Sequence, residues 1–240
     1  MGNCTFYTAG STRALDYACA LLQQWGWKYD ENAENLILPV PSFTPGGTIQ
    51  GGGEIRSFLS PETVVFGGNL EHPALIHNRC FDLLKDPYYL AQNARITAHC
   101  ALSYALKKLP VIFPDCCTLI VGFGRIGKSL ADILQKLGAD VTVYARKPQD
   151  RALAGMLGNR VTDTLDDLTR FRVIFNTAPA MLIPESKLTK QQVKVDLASV
   201  QGIGGSDVIR ARGLPGKDAP ESSGMLIAQS VIRLAKENEI

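Results

Sequence analysis

Beyond Cys117 the chain alternates between short, uninterrupted apolar runs and stretches at helical spacing. Residues 118–124 read TLIVGFG, an apolar strand. Arg125–Leu137 follows as an amphipathic helix with Ile126, Leu130, Ile133, Leu134 and Leu137 on one face, and Gly138 closes it. Strand-like segments recur at Asp140–Ala145, Arg172–Thr177 and Val193–Ala198. Short strands without polar alternation, separated by helical or turn-rich stretches, predict a parallel sheet covered on both faces. Upstream, a β-like run at Cys4–Thr8, helical spacing over Ser11–Gln24 and the apolar run Leu36–Val40 predict a small βαβ unit, followed by a strand at Thr63–Phe66. A long helix is expected from Pro87, suited to a first turn, to Leu109, where Pro110 stops it.

The predicted fold class is therefore α/β: a Rossmann-type doubly wound parallel sheet with a smaller N-terminal α/β lobe. The expected domains are an N-terminal substrate-side lobe at 1–90, a connecting helix at 91–114, a dinucleotide-binding domain at 115–219 and a C-terminal helix at 220–240 that packs back at the lobe junction. Two Gly/Pro/Ser-rich stretches, PVPSFTPGGTIQGGG at 39–53 and SVQGIGG at 199–205, read as loops at a working face.

Charge narrows the class of partner. The chain has 240 residues with 25 Lys plus Arg against 23 Asp plus Glu, a formal net charge of +2, and no basic field that would gather nucleic acid. A small molecule is the expected ligand. No run approaches the roughly 18 apolar residues of a membrane span, and the N-terminus lacks the basic-then-apolar order of a secretory signal, so a cytoplasmic protein is expected. The cysteines at 4, 19, 80, 100, 116 and 117 show no C-x-x-C spacing, and no metal site is expected.

The chemistry centres on Gly122-Phe123-Gly124-Arg125-Ile126-Gly127, a G-x-G-x-x-G between a predicted strand and a predicted helix. There glycines permit a tight turn and the approach of a pyrophosphate to a helix N-terminus. The same stretch continued through Lys128-Ser129 also satisfies G-x-x-x-x-G-K-[ST], the phosphate loop of nucleoside triphosphatases, with Asp196 as the carboxylate that reading needs for magnesium. The next strand end decides between them. About 20 residues on, where an NAD site carries Asp or Glu, stand Arg146 and Lys147, and no carboxylate lies between Asp140 and Asp150. Cations there suit the 2′-phosphate of NADP. Cofactor contacts are expected from Gly122, Gly124, Arg125, Ile126, Gly127, Arg146 and Lys147. Asn176, Thr177, Ala178 and Pro179 join them at the end of the third strand; Ser199, after the fourth strand and ahead of the glycine loop on the same edge, is a candidate for binding substrate.

These residues resemble a known family. GFGRIG, YARK, NTAPA, VDLAS and above all GLPGKDAPESSG at 213–224 are similar to the A subunit of dipicolinate synthase, in a shortened or divergent form. The likeness spans the chain from about 115 onward and continues more weakly in AGSTRAL at 9–15 and LILPVP at 36–41. The resemblance implies oxidation of a dihydrodipicolinate-type ring to pyridine-2,6-dicarboxylate, the spore-core metabolite, with hydride passed to NADP. It also implies a small flavoprotein-like B-type second subunit, and a homo-oligomer is expected.

A dicarboxylate substrate needs cations, for which Arg13 and Lys217 are the candidates. His99 on the long helix is a candidate proton acceptor and a departure from the family pattern, in which a glutamate is expected there. A second departure is the short link between Asp196 and Leu214. It leaves no room for a helix, so Val208–Arg212 is expected to form the last strand directly. Two other classes fit the same motifs. One is a 2-hydroxyacid- or shikimate-type dehydrogenase, for which Arg13, His72, His77 and His99 are the ionisable candidates upstream. The other is a nucleotide-binding protein without catalysis, one component of a larger assembly.

Overall fold

Eleven short strands, all paired in parallel, form two sheets in this computed structural model, which describes residues 4–53, 55 and 59–240. The first sheet contains β1 (Thr5–Thr8), β2 (Lys28–Tyr29), β3 (Asn35–Ile37), β4 (Val64–Gly67) and β5 (Arg79–Asp82), in the order β2-β1-β3-β4-β5. The second contains β6 (Cys117–Val121), β7 (Asp140–Tyr144), β8 (Arg160–Thr162), β9 (Val173–Asn176), β10 (Val193–Asp196) and β11 (Ile209–Arg210), in the order β11-β10-β9-β6-β7-β8. The helices are α1 (Arg13–Gln24), α2 (Pro87–Leu106), α3 (Arg125–Lys136), α4 (Pro148–Met156), α5 (Leu214–Asp218) and α6 (Pro220–Glu237). The chain forms two compact units, one of residues 1–93 with 215–240 and the other of 94–214.

In the first unit, α1 starts where Thr12 stops the extended chain, its hydroxyl accepting from the Leu15 amide at 3.2 Å. It buries Ala14, Leu15, Ala18 and Leu22, one stripe at helical spacing. Tyr7, Leu36, Leu38, Val65, Leu70 and Leu75 make a core around the sheet. The C-terminal segment belongs here because α6 packs on α1. A Cβ on Gly224 would fall 2.5 Å from the Ala14 carbonyl oxygen and 2.9 Å from Tyr17 Cβ, so only glycine lets the two backbones meet. The distinctive 213–224 segment is thus largely local geometry: Gly213 turns at φ 61°, Pro220 starts α6 and Gly224 sets its contact with α1. Further along α6, Arg233 donates to Asp86 at 2.6 Å, and the same Asp86 oxygen caps α2 by accepting from the Tyr89 amide.

In the second unit, the strands taken in chain order pair as 6-5-4-1-2-3, the order of a dinucleotide-binding Rossmann sheet. Helices α3 and α4 cover the first half of this sheet. After β8 the crossovers carry no α-helix longer than a turn, and loop residues take the place of one. Leu165, Leu168 and Phe171 ahead of β9, Ile183 after it, and Ile203 and Val208 ahead of β11 pack on Leu119, Val121 and Ile174 of the sheet. Burial of such a side chain contributes up to about 1.5–3 kcal/mol, enough to fix loops that lack helical hydrogen bonds. β11 forms directly from the short link after β10, as the spacing required, with Val195 opposite Ile209.

Candidate functional site

The three glycines of the turn after β6 do three different things. Gly122 sits at φ 96°, and a Cβ there would lie 2.6 Å from Thr177 Oγ1. Gly127 brings α3 onto the turn, since a Cβ would fall 2.2 Å from the Gly122 carbonyl oxygen. Gly124 caps α3 and is different, because no described atom of the protein lies within 4 Å of where its Cβ would be. The packing of the protein does not need that glycine. A ligand approaching the first amides of α3 does, which is the role of the middle glycine in a dinucleotide turn. Arg125 is exposed at the start of α3, and Ile126 is half-buried behind it.

Around this turn a pocket of about 360 Å³ opens at the carboxyl ends of β6, β7 and β9, where doubly wound sheets bind ligands. Gly122 and Phe123 form one wall, Tyr144 to Lys147 with Asp150 a second, and Ala178 to Ala180 with Leu182 a third. Arg146 and Lys147 are exposed, and neither forms an ion pair with a described residue. Thr177 works behind the surface: its hydroxyl donates to the carbonyls of Val121 and Gly122, at 3.0 and 3.3 Å, and locks the glycine turn to β9. Ala178 and Pro179 line the pocket directly.

Of the lining residues that the sequence did not single out, Asp150 is the charged one. Asp150 stands in the first turn of α4, where its carboxylate complements the helix N-terminus, and it faces the same pocket as the two cations. The dinucleotide pattern places an acid at the strand end, whereas Asp150 reaches the site from the helix that follows.

Asn176 is fully buried, and its amide is spent inside the protein rather than on the pocket. Its Nδ2 donates to Asp196 Oδ1 at 2.9 Å and to the Ala178 carbonyl, while its Oδ1 accepts from the Ala178 amide. It shapes the turn that carries Ala178 and Pro179. Asp196, 1% exposed, is satisfied by four donors: Asn176 Nδ2, the Ala198 amide, and the amides of Gly202 and Ile203 at 2.7 and 3.2 Å. This carboxylate organises the 199–205 loop and has no open face for magnesium. Ser129 donates back to the Arg125 carbonyl, and Lys128 lies over the Phe123 ring. The residues singled out for the triphosphatase reading are therefore in structural use.

Replacing Asp196 by Asn keeps the shape but turns one acceptor into a donor facing donors. We expect a loss of about 2 kcal/mol in urea unfolding without any nucleotide present. Unchanged stability together with loss of magnesium-dependent ATP binding would restore the phosphate-loop assignment.

The remaining candidates are placed as follows. Ser199 is exposed just past β10. In the first unit, Arg13 is exposed at the first position of α1. The adjoining turn lies against the 46–53 loop so tightly that a Cβ on Gly51 would fall 1.7 Å from the Ser11 carbonyl oxygen. Lys217 is exposed in the last turn of α5. His99 is exposed on α2 and does not line the nucleotide pocket. Among the described residues no helix is long and apolar enough to cross a membrane.

Comparison with known proteins agrees with this geometry. Residues 114–194 match the family model of the D-isomer specific 2-hydroxyacid dehydrogenase, NAD binding domain. None of the curated proteins compared matches the chain. Among solved structures, the A subunit of dipicolinate synthase from Bacillus halodurans superposes with a TM-score of 0.79 at 20% identity, over 97% of both chains. Its counterpart in the dipicolinate synthase of Bacillus subtilis gives 0.79 at 21% identity, over 99% of this chain and 97% of the other. The NAD complex of D-isomer specific 2-hydroxyacid dehydrogenase from Lactobacillus delbrueckii ssp. bulgaricus gives 0.61 at 12% identity, over 98% and 97%. Over nearly its whole length the chain has the fold of the dipicolinate synthase A subunit, and residues 114–194 are similar to the NAD-binding domain of D-isomer specific 2-hydroxyacid dehydrogenases.

Proposed function

We propose that the protein is an NADP-dependent oxidoreductase of the dipicolinate-synthase type, which converts a dihydrodipicolinate-type ring to pyridine-2,6-dicarboxylate. The observation that carries the cofactor half of this reading is the pair of exposed cations, Arg146 and Lys147, in the pocket beside the glycine turn. They outnumber the single carboxylate of Asp150, and a 2′-phosphate meets net positive charge there.

When bound, the nicotinamide supplies the hydride acceptor. The ring gives up one hydride and one proton, and gains aromaticity. The residues of this chain have the task of holding the parts in register, chiefly a matter of proximity and orientation. The α3 N-terminus and Gly124 take the pyrophosphate, and Arg146 and Lys147 the 2′-phosphate. Ala178 and Pro179 wall the nucleotide pocket. Arg13, Lys217 and Ser199 are the side chains we assign to the substrate's carboxylates, and His99 is the proton acceptor this reading offers. Self-association and a small flavoprotein-like second subunit belong to the same proposal.

The match of residues 114–194 favours a second reading, oxidation of a 2-hydroxy acid. One assay separates the two. The purified chain with NADP, alone and with a B-type subunit, should generate NADPH fluorescence when given freshly formed dihydrodipicolinate. It should not do so with D-lactate, D-glycerate or shikimate. NADPH formation from a 2-hydroxy acid and none from the dihydropyridine ring would replace the first reading by the second.

A further inference from the structure

Cofactor selectivity of the kind proposed above needs more than two cations: it needs the turn that carries them to hold one shape. That turn follows β7, and a third cation closes it. Arg151 stands in the first turn of α4, yet its guanidinium folds back toward the strand end. There Nη1 donates to the carbonyl oxygens of Ala145 at 2.8 Å and Arg146 at 2.9 Å. Its Nη2 lies 3.7 Å from Asp163 Oδ2, just past β8, and the side chain is 23% exposed. The position is not one that helix electrostatics would choose, because a cation in the first turn faces the positive end of the helix dipole. Two carbonyls and a carboxylate compensate.

The backbone of the turn has few other restraints. The Ala145 amide reaches the Thr162 carbonyl at a long 3.4 Å, and the Lys147 carbonyl accepts from the amides of Asp150 and Arg151. The Arg151 bonds are thus charge-assisted ties between the end of the strand and the start of the helix, on either side of Arg146 and Lys147. With Nη1 shared between two carbonyls, Arg151 is occupied with the turn.

We propose that Arg151 is the positioning residue for cofactor selectivity. Through the carbonyls of Ala145 and Arg146 it fixes the turn from which Arg146 and Lys147 meet the 2′-phosphate. The inference rests on the NADP reading given above, and Asp163 supports it by holding the outer edge of the guanidinium.

A double-mutant cycle in the full chain tests it, read by calorimetric titration with NADPH and NADH. Arg151→Met keeps the apolar stem and removes the donors. It should weaken NADPH binding about tenfold and NADH binding by less than about threefold. Combined with Arg146→Ala it should add little to the larger single loss, because a displaced turn no longer presents a side chain for the second change to remove. Arg151→Lys keeps a cation that can donate to the carbonyls from one nitrogen, but it is shorter and lacks the second nitrogen that faces Asp163, so it should fall between wild type and Arg151→Met. It also keeps the test open should the Met variant fold poorly.

Without any nucleotide, amide exchange at residues 145–147 should rise in Arg151→Met and stay unchanged in Arg146→Ala. Additive losses, equal losses for the two dinucleotides, or unchanged exchange in the turn would each overturn the inference. A failure of the NADP reading looks different: Arg146→Ala by itself would then weaken NADPH no more than NADH.

Discussion

Replacement of Gly124 by Val should abolish dinucleotide binding while leaving the protein folded. The two effects separate because of where the glycine lies. At Gly122 and Gly127 an added Cβ would run into the protein itself, 2.6 Å from Thr177 Oγ1 and 2.2 Å from the Gly122 carbonyl oxygen, so loss of binding there would be confounded with loss of structure. At Gly124 the space is open and φ is −75°, a conformation any residue adopts. Valine can be accommodated by the fold, but its methyl groups occupy the approach to the first amides of α3. We expect an affinity loss of about 100-fold or more for NADPH and NADH alike, about 2.8 kcal/mol, with a thermal midpoint within a few degrees of wild type. A folded Gly124→Val protein with unchanged affinity would remove the dinucleotide site from this turn.

Arg146→Asp should separate the two cofactors instead of abolishing both. The substitution removes a charge-assisted contact to the 2′-phosphate and sets a second carboxylate beside Asp150 in the same pocket. Against a phosphate the change is one of sign. Against a ribose hydroxyl it supplies an acceptor, the residue type that NAD sites carry at this strand end. NADPH affinity should fall about 100-fold, and NADH affinity should hold within a few-fold or improve. Lys147 moderates the effect but does not cancel it, being a point charge without a fork of donors. Equal losses for both cofactors would count against the role assigned to Arg146.

Where the sequence was legible, a buried pattern was the reason. β6 and β9 are buried on both faces, and their apolar runs are enough to mark them as parallel strands, whereas in β10 a buried Lys194, paired with Asp207, interrupts the run. α3 buries Gly127, Leu130, Ala131 and Leu134 along one stripe, and its cap is written in the glycine motif.

The elements that escaped notice are those with little to bury. β2 is two exposed residues, and β8 is an edge strand whose Val161 faces solvent. α4 buries only Ala154 and exposes Leu153 and Met156, so its hydrophobic residues do not mark its inner face. The places of Asp150 and Arg151 in the site depend on that helix beginning at Pro148, so they were hidden with it.

A different reason applies to Asn176 and Asp196. Polar residues at the ends of strands read as ligand contacts or metal ligands. Whether a buried carboxylate faces a ligand or four donors of its own chain depends on the path of the 199–205 loop, which no local pattern specifies.

The central claim is that the second unit binds NADP(H) through the turn after β6 and the cations after β7. Calorimetric titration of the purified chain with NADPH, NADH and magnesium ATP, side by side at one ionic strength, tests it most directly. The account predicts saturable NADPH binding at least about tenfold tighter than NADH, and no measurable heat from magnesium ATP at the same concentrations. Magnesium ATP binding in the absence of dinucleotide binding would contradict it outright, and NADH binding as tight as NADPH would contradict the selectivity assigned to Arg146 and Lys147.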